Sequence, residues 1–228
     1  MLRIAEPELM NHPEQVSAYA NADFEQAHSS LIELFAQTFQ GQTCLQSTST
    51  TTPRALDAGC GPGDISRRFL QRYPHFNITG IDAADNMIAT AQQMNSASGL
   101  DHRIKLVCQH IDEFTPAHSG FDVFINNSLL HHLHQPIQLW QLVQRVCKKG
   151  SLVFVMDLAR PDSTQQAQQL VDNYAADEPE ILRQDFYHSL CAAYRVEEVV
   201  TQLEQCRLDY LNVNACSDRH LMISGIIK

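Results

Sequence analysis

The sequence predicts an α/β fold built on a mostly parallel seven-stranded sheet, and three observations carry that expectation. From residue 54 onward, short apolar runs alternate with segments of helical period. Glycines recur at alternate positions, Gly59, Gly61 and Gly63, directly behind the first of those runs. Near the carboxyl end two apolar segments are joined by a short polar turn, which makes them antiparallel neighbours.

Ahead of the alternation, Phe24, His28, Leu31, Phe35 and Phe39 recur at helical spacing and predict an amphipathic helix over 22–40. Residues 1–45 read as an N-terminal helical cap segment. The Ser/Thr-rich stretch "GQTCLQSTSTTTPR" has no periodicity and reads as an exposed connector within one domain spanning 1–228. "RALDAG" is the first strand, and Ile65, Phe69 and Tyr73 lie on one face of the helix after it. "FNITGID" is the second strand, and Asp85 is a fair N-cap for a helix carrying Met87, Ile88, Ala91 and Met94. "RIKLVCQH" and "FDVFINN" are the third and fourth strands. Leu139, Trp140, Val143 and Val146 mark a helix that Gly150 is expected to stop. "SLVFVMDL" is the fifth strand. Strands with helices between them mean right-handed βαβ units and a parallel sheet.

The rhythm then changes. Residues 161–193 are Gln-rich and polar on most faces, with Pro161 and Pro179 as breaks. The segment is longer than the usual connection in an α/β unit, and long insertions at the ligand edge of a sheet are commonly lids. Val196, Val199, Val200 and Leu203 restore an amphipathic helix. "LDYLNVNA" and "HLMISGII" are the last two strands, separated by a turn with Ser217, Asp218 and Arg219.

Of the 228 residues 44% are hydrophobic, enough for a packed core, and the formal net charge is −10. That acidity argues against a surface that tracks nucleic-acid phosphates or anionic lipid. The N-terminus is too polar for a signal peptide, and no apolar run reaches the length of a membrane span. The seven cysteines are scattered, odd in number and without a C-x-x-C pair, so reduced thiols in a cytoplasmic protein are the simplest expectation.

A glycine turn between a strand and its helix lets a ligand approach the backbone without Cβ clashes. Asp82 ends the second strand about twenty residues on, where a carboxylate accepts from ribose hydroxyls, and Asp112 follows the third strand. These loops share the carboxyl edge of one sheet. The plain alternative is a tight turn with unrelated aspartates. The competing ligand is a nicotinamide dinucleotide, but its fingerprint is G-x-G-x-x-G, whereas this turn runs G-x-G-x-G. Asp57 also lies where it would repel a pyrophosphate.

"LDAGCGPGDIS", "GIDAADNMI", "CQHIDEF" and "FDVFINNSLLHHL" resemble the successive motifs of class I S-adenosylmethionine-dependent methyltransferases, closely over 54–157 and topologically over 196–228. The resemblance implies a Rossmann-like sheet with helices on both faces, the last strand inserted antiparallel beside strand five, and a helical cap. It implies S-adenosyl-L-methionine as cofactor and S-adenosyl-L-homocysteine as product. It sets Asp57, Gly59 and Gly61 against the methionyl part, Asp82 and Ala83 at the ribose, and Met87 beside the adenine. Ile111 and Asp112 close over the base, Asn127 flanks the methionyl group, and Tyr19 is a candidate lid residue. Residues 161–193 match no substrate-defined subgroup.

"LLHHLH" offers His131, His132 and His134 at a spacing that can bind zinc, but no cysteine or carboxylate is near in sequence to complete a set, so no metal is expected. His131 or His132, facing the transferable methyl group in the resembling fold, is the candidate to orient the acceptor or take its proton. Tyr187 and His188 are candidates for the substrate pocket, with helix packing the alternative. Arg183 and Arg195 are candidates for a substrate carboxylate, with surface ion pairing the default. "AADEPE" reads as a solvated turn and Cys60 as a packed thiol. A small-molecule methyltransferase is the leading reading. An RNA- or protein-directed enzyme, or a non-catalytic or altered-cofactor binder of the same fold, stays open. The oligomeric state is not legible.

Overall fold

The computed structural model describes residues 1–46, 52–116 and 120–228. Residues 47–51 of the Ser/Thr-rich connector lie outside the described residues. The alternating segment forms β1 (Arg54–Ala58), α3 (Asp64–Arg72), β2 (Asn77–Asp82), α4 (Asp85–Ala97), β3 (Ile104–Cys108), β4 (Phe121–Asn127), α5 (Ile137–Val146) and β5 (Cys147–Leu158). Ahead of it stand α1 (Pro13–Asn21) and α2 (Glu25–Thr38). After it come α6 (Thr164–Tyr174), α7 (Glu180–Ala192), α8 (Val196–Gln205), β6 (Asn212–Ala215) and β7 (His220–Ile226).

The seven strands pair in the order β3-β2-β1-β4-β5-β7-β6. β1 to β5 are parallel, and β7 lies antiparallel between β5 and β6. The period of two splits the strands cleanly between two cores. Val123 and Ile125 of β4 join Leu152 and Phe154 of β5 under α2 and α3, against Phe35, Phe69 and Tyr73. Phe124, Val153 and Val155 face the other way, against Trp140 and Val143 of α5 and Val199 and Leu203 of α8. Burying both faces explains why these strands read as continuous apolar runs. Trp140 brings its indole N–H into that core and donates to Gln202 at 3.0 Å, so no donor is stranded.

Four local expectations are corrected. The helix expected over 22–40 is α2, preceded by a separate α1 that begins with Pro13 in its first turn. The chain breaks at Ala22, and Asp23 accepts the Glu25 amide at 3.0 Å to start α2. The expected 1–45 helical segment is therefore only partly helical, because 1–12 runs without regular structure. Asp85 is the first residue of α4 rather than its cap, and Ala84 occupies the cap position. Gly150 does not stop α5. That helix ends at Val146 because Cys147 already pairs with Phe121. Between that pair and Val123↔Leu152 the register shifts, and Gly150 takes φ +86 in the resulting irregularity.

Candidate active site

Parallel register brings the carboxyl ends of the central strands to one edge, with Ala58 opposite both Ile81 and Asn126. The turn 59–63 sits on that edge and is tied to β2. The amides of Gly59 and Cys60 both donate to the Ile81 carbonyl, at 2.8 and 3.0 Å. The Gly61 amide donates to Asp82 Oδ2 at 2.8 Å, and the Gly63 amide to the Cys60 carbonyl at 2.9 Å. Gly59 and Gly61 have φ of +69 and +50, a conformation that L side chains adopt at a cost. A Cβ on Gly59 would also lie 2.9 Å from Leu129 Cβ, so this glycine serves close packing as well as the turn. A Cβ on Gly61 would meet nothing within 4 Å.

Over this edge lies a cavity of about 540 Å³. All the residues that the motif resemblance sets at a cofactor line it: Asp57, Gly59 and Gly61 from β1 and its turn, Asp82, Ala83 and Met87 after β2, Ile111 and Asp112 after β3, Asn127 at the end of β4, and Tyr19 of α1. Asp82 is held by two amides, with Oδ2 accepting from Gly61 and Oδ1 accepting from Ala84 at 2.9 Å. Each oxygen keeps a second acceptor direction for a ligand hydroxyl. Burial raises the Asp82 pKa, and those amide bonds oppose the rise. Asp57 is buried, and burial pushes its carboxyl up to about 6 even though Ser66 donates to it at 2.6 Å. Met87 is buried beside Val16 and Ala84, with Tyr19 packed on that cluster. Asp112 is exposed and faces Gln138 at 3.5 Å.

Acid dominates the lining, which includes Asp23, Asp57, Asp64, Asp82 and Asp112 against Arg67 and Arg68. Each amide of the glycine turn already has a protein acceptor. The occupied turn amides and the acidic lining both count against a pyrophosphate, and so against the dinucleotide alternative.

A second cavity, of about 600 Å³, shares Tyr19, Phe24, His28, Asn127, Ser128 and His132 with the first. α2, α6, α7 and the turn before β7 supply its other walls, including Leu31, Tyr174, Asp185, Phe186 and Arg219. Ser128 stands where the two meet and takes φ +57, an uncommon conformation for a residue with a side chain. Sequence reading missed Ser128, and it also missed His28, whose Nδ1 lies 2.7 Å from Asp64 Oδ2. The 161–193 candidates fare differently. Phe186 and Asp185 line the second cavity, whereas Tyr187 packs on the α6–α7 cluster and neither it nor His188 lines either cavity. Arg183 pairs with Asp172 at 3.2 Å and Arg195 with Asp162 at 3.0 Å, the default ion-pair reading. Glu178 of "AADEPE" lines the second cavity. Cys60 is buried, as a packed thiol should be.

His132 lines both cavities and His131 only the second. The His131 Nδ1 lies 2.5 Å from Asp157 Oδ1, and both groups are buried. Burial works against the His131 cation, but Asp157 outweighs it and raises the His131 pKa. Burial, then the His131 charge, lowers the His132 pKa to about 3. His132 is therefore neutral at physiological pH and a weak base. That disfavours the expected proton removal by His132 itself. The expectation that no carboxylate completes a set with the histidines is also corrected. Glu6 arrives from the N-terminal segment, with Oε1 3.1 Å from His132 Nδ1 and 3.5 Å from His131 Nε2. His134 is turned away, its Nε2 2.8 Å from the Glu6 carbonyl.

A family model described as a methyltransferase domain matches residues 55–150. The chain is similar to a malonyl-[acyl-carrier protein] O-methyltransferase of Paenibacillus sp. (strain JDR-2), 32% identical over 106 residues, which cover 46% of this chain and 38% of that protein. It is similar to a ubiquinone biosynthesis O-methyltransferase of Pseudomonas aeruginosa (strain UCBPP-PA14), 31% identical over 109 residues, covering 47% and 45%. The matches thus span less than half the length of these curated relatives. Among solved structures, the plantazolicin methyltransferase BpumL, in complex with a monoazolic desmethylPZN analog and SAH, superposes with a TM-score of 0.70 at 15% identity over 95% of this chain and 91% of that one. A SAM dependent methyltransferase from Aquifex aeolicus superposes with a TM-score of 0.64 at 15% identity over 95% and 99%. At such identities the superpositions speak to the fold. Residues 55–150 thus carry a methyltransferase domain, and the sheet order and the superpositions give the chain the fold of class I S-adenosylmethionine-dependent methyltransferases.

Proposed function

We propose that this protein binds S-adenosylmethionine in the first cavity and directs its methyl group to a small molecule held in the second. The observation that carries the reading is Asp82, whose two oxygens are aimed by the Gly61 and Ala84 amides into an acid-rich cavity. When bound, the sulfonium supplies an already activated methyl group. Asp82 accepts from the ribose hydroxyls, with Ala83 beside it. Met87, Ile111 and Asp112 enclose the base. Asp57, Gly59, Gly61 and Asn127 surround the methionyl part, where the Asp57 carboxylate offsets the ammonium charge.

What remains for the chain is alignment and exclusion of water. Tyr19, half-buried where the two cavities meet, covers the cofactor, and α6 and α7 (within 161–193) close the acceptor side. His132 contacts both chambers and orients the acceptor, while His131 and Asp157 hold the loop behind it. The acceptor chamber mixes Leu31, Phe186 and Tyr174 with Asp185 and Arg219, which fits a small, partly apolar molecule with polar groups. The acidic lining and the net charge of −10 count against a polyanionic acceptor such as nucleic acid. No helix among the described residues is long and apolar enough to cross a membrane, and all seven cysteines are free, in keeping with a reducing compartment such as the cytoplasm.

Calorimetry with S-adenosylmethionine and S-adenosylhomocysteine tests the reading, followed by a metabolite screen with labelled cofactor. Binding of both nucleosides and label transfer to a small molecule are expected. A folded protein that binds neither nucleoside overturns the reading.

A further inference from the structure

We propose that Glu6, His131 and His132 form a binding site for one divalent transition-metal ion of the zinc type. The ligand atoms of the three residues lie within 4.8 Å of one another. Bonds of about 2.0–2.2 Å to a tetrahedral ion place its donors roughly 3.3–3.6 Å apart. Glu6 Oε1 already stands 3.1 Å from His132 Nδ1 and 3.5 Å from His131 Nε2. The two Glu6 distances are already close to that spacing, and the imidazole donors lie within 4.8 Å of each other.

The surroundings are those of a ligand set rather than of a salt bridge. Asp157 Oδ1 lies 2.5 Å from His131 Nδ1 and holds the proton on that nitrogen, so Nε2, on the side of Glu6, is the nitrogen that an ion would take, displacing any proton there. A carboxylate behind a histidine in this way orients metal-binding imidazoles and raises their donor strength. Asp157 is itself anchored by the Leu130 and Leu158 amides, both at 2.7 Å. Ser189 donates to Glu6 at 3.1 Å and sets the other ligand. The buried Nδ1 of His132 has no hydrogen-bond partner, although Glu6 Oε1 is 3.1 Å away. The pair is close but misaligned for an N–H bond, and an ion between the two atoms would use both lone pairs. The nearby Arg3 guanidinium is engaged by the carbonyls of Ala192, His131 and Leu133.

Two nitrogens and one carboxylate oxygen suit zinc over magnesium or calcium, which prefer all-oxygen shells. Three protein donors leave a position open, and His131, His132 and Ser189 all line the second cavity. An acceptor hydroxyl or carboxylate bound there would be polarised by the ion. That last role rests on the proposed methyl transfer, whereas ion binding itself does not.

The test is a titration of the full chain with Zn²⁺ against a chromophoric chelator, and with Co²⁺ followed by visible absorption. One ion per chain is expected, with a tetrahedral Co²⁺ spectrum lacking the near-ultraviolet thiolate band that the free cysteines would produce. Mg²⁺ should not compete. Glu6→Gln and His132→Gln should each weaken Zn²⁺ binding by about 100-fold, and Asp157→Asn by about 10–100-fold. Circular dichroism checks that each variant folds, and if one does not, the other two decide. Absence of stoichiometric binding, a thiolate band, or unchanged affinity in the folded variants would overturn the site. Nucleoside calorimetry on the same samples reads the cofactor separately, so failure of either proposal is distinguishable from failure of the other.

Discussion

The carboxylate of Asp82 accepts the backbone amide of Gly61 at 2.8 Å, so the end of β2 and the glycine turn after β1 form one unit. Removing the carboxylate removes the proposed ribose acceptor and releases the turn together. Asp82→Ala should weaken S-adenosylhomocysteine binding by about 1.5–3 kcal/mol, the scale of hydrogen bonds to a charged group. Calorimetry reads this, and an unchanged affinity would place the ribose elsewhere.

With the cofactor's ammonium beside Asp57, as proposed, cofactor affinity should depend on pH. Its carboxyl titrates at about 6 in the free protein, because burial disfavours the charge. A cationic ligand beside it favours the ionised form and lowers that value in the complex. Above pH 6 the group is ionised in both states and affinity is flat. Below it, binding must expel a proton, and affinity should fall by up to about tenfold per pH unit. Calorimetry in buffers of different ionisation enthalpy should detect proton release near pH 5 and none at pH 8. Asp57→Asn should bind more weakly at pH 8 and lose this dependence.

The two central glycines of the turn separate packing from ligand approach. Gly59→Ala must tolerate φ +69 and overlap with Leu129, for a loss of about 2–4 kcal/mol of stability. Gly61→Ala faces φ +50 but no neighbour, for about 1–2 kcal/mol. Denaturant melts of the free protein should therefore rank Gly59→Ala as the more damaging. Equal losses would mean that Leu129 shifts freely.

Asp64 links α3 to α2 by meeting His28 Nδ1 at 2.7 Å, and it accepts from Arg68 Nε of its own helix at 2.6 Å. Burial pushes its pKa up, but these two partners outweigh burial and hold the carboxyl well below the usual carboxylate range. A depressed folded pKa contributes stability that is present above the unfolded value, about 4, and is lost as pH falls toward the folded one. Asp64→Asn should lower the Tm at pH 7, and the gap to the parent should shrink below about pH 4. A gap independent of pH would mean that the loss is packing alone.

Asp185 has a buried carboxylate oxygen without a partner in the wall of the second cavity. Such a group destabilises the free protein and awaits a donor. Asp185→Asn should raise stability by about 1 kcal/mol, leave S-adenosylhomocysteine affinity unchanged and reduce transfer to the acceptor. Lower stability in the variant would show that the oxygen already has a donor.

The local sequence already determined the methyltransferase core. Strand period, the alternate glycines and the aspartates at strand ends are decided within a few residues of each other. A parallel sheet then brings Asp57, Asp82 and Asp112 to one edge whatever the rest of the chain does. Pairing of β7 with β6 was legible for a similar reason, since the short turn between them leaves antiparallel packing as the simple outcome, whereas the place of β7 beside β5 came from the motif resemblance. What only the tertiary structure decided depends on distant segments meeting. Period marked the helix that follows Ala22 but not α1, which buries only Val16 and so shows no apolar stripe. The pairing of His28 with Asp64 required α2 to settle on α3. Glu6 lies in a stretch with no regular structure and no periodicity, so nothing in its own neighbourhood announces a role. It reaches His131 and His132 because the N-terminal segment is laid against α7, with the Ile4 amide bonded to the Cys191 carbonyl at 3.0 Å. A histidine pair shows its donors in the sequence, but the third donor and the carboxylate behind them are set by the path of the chain in space.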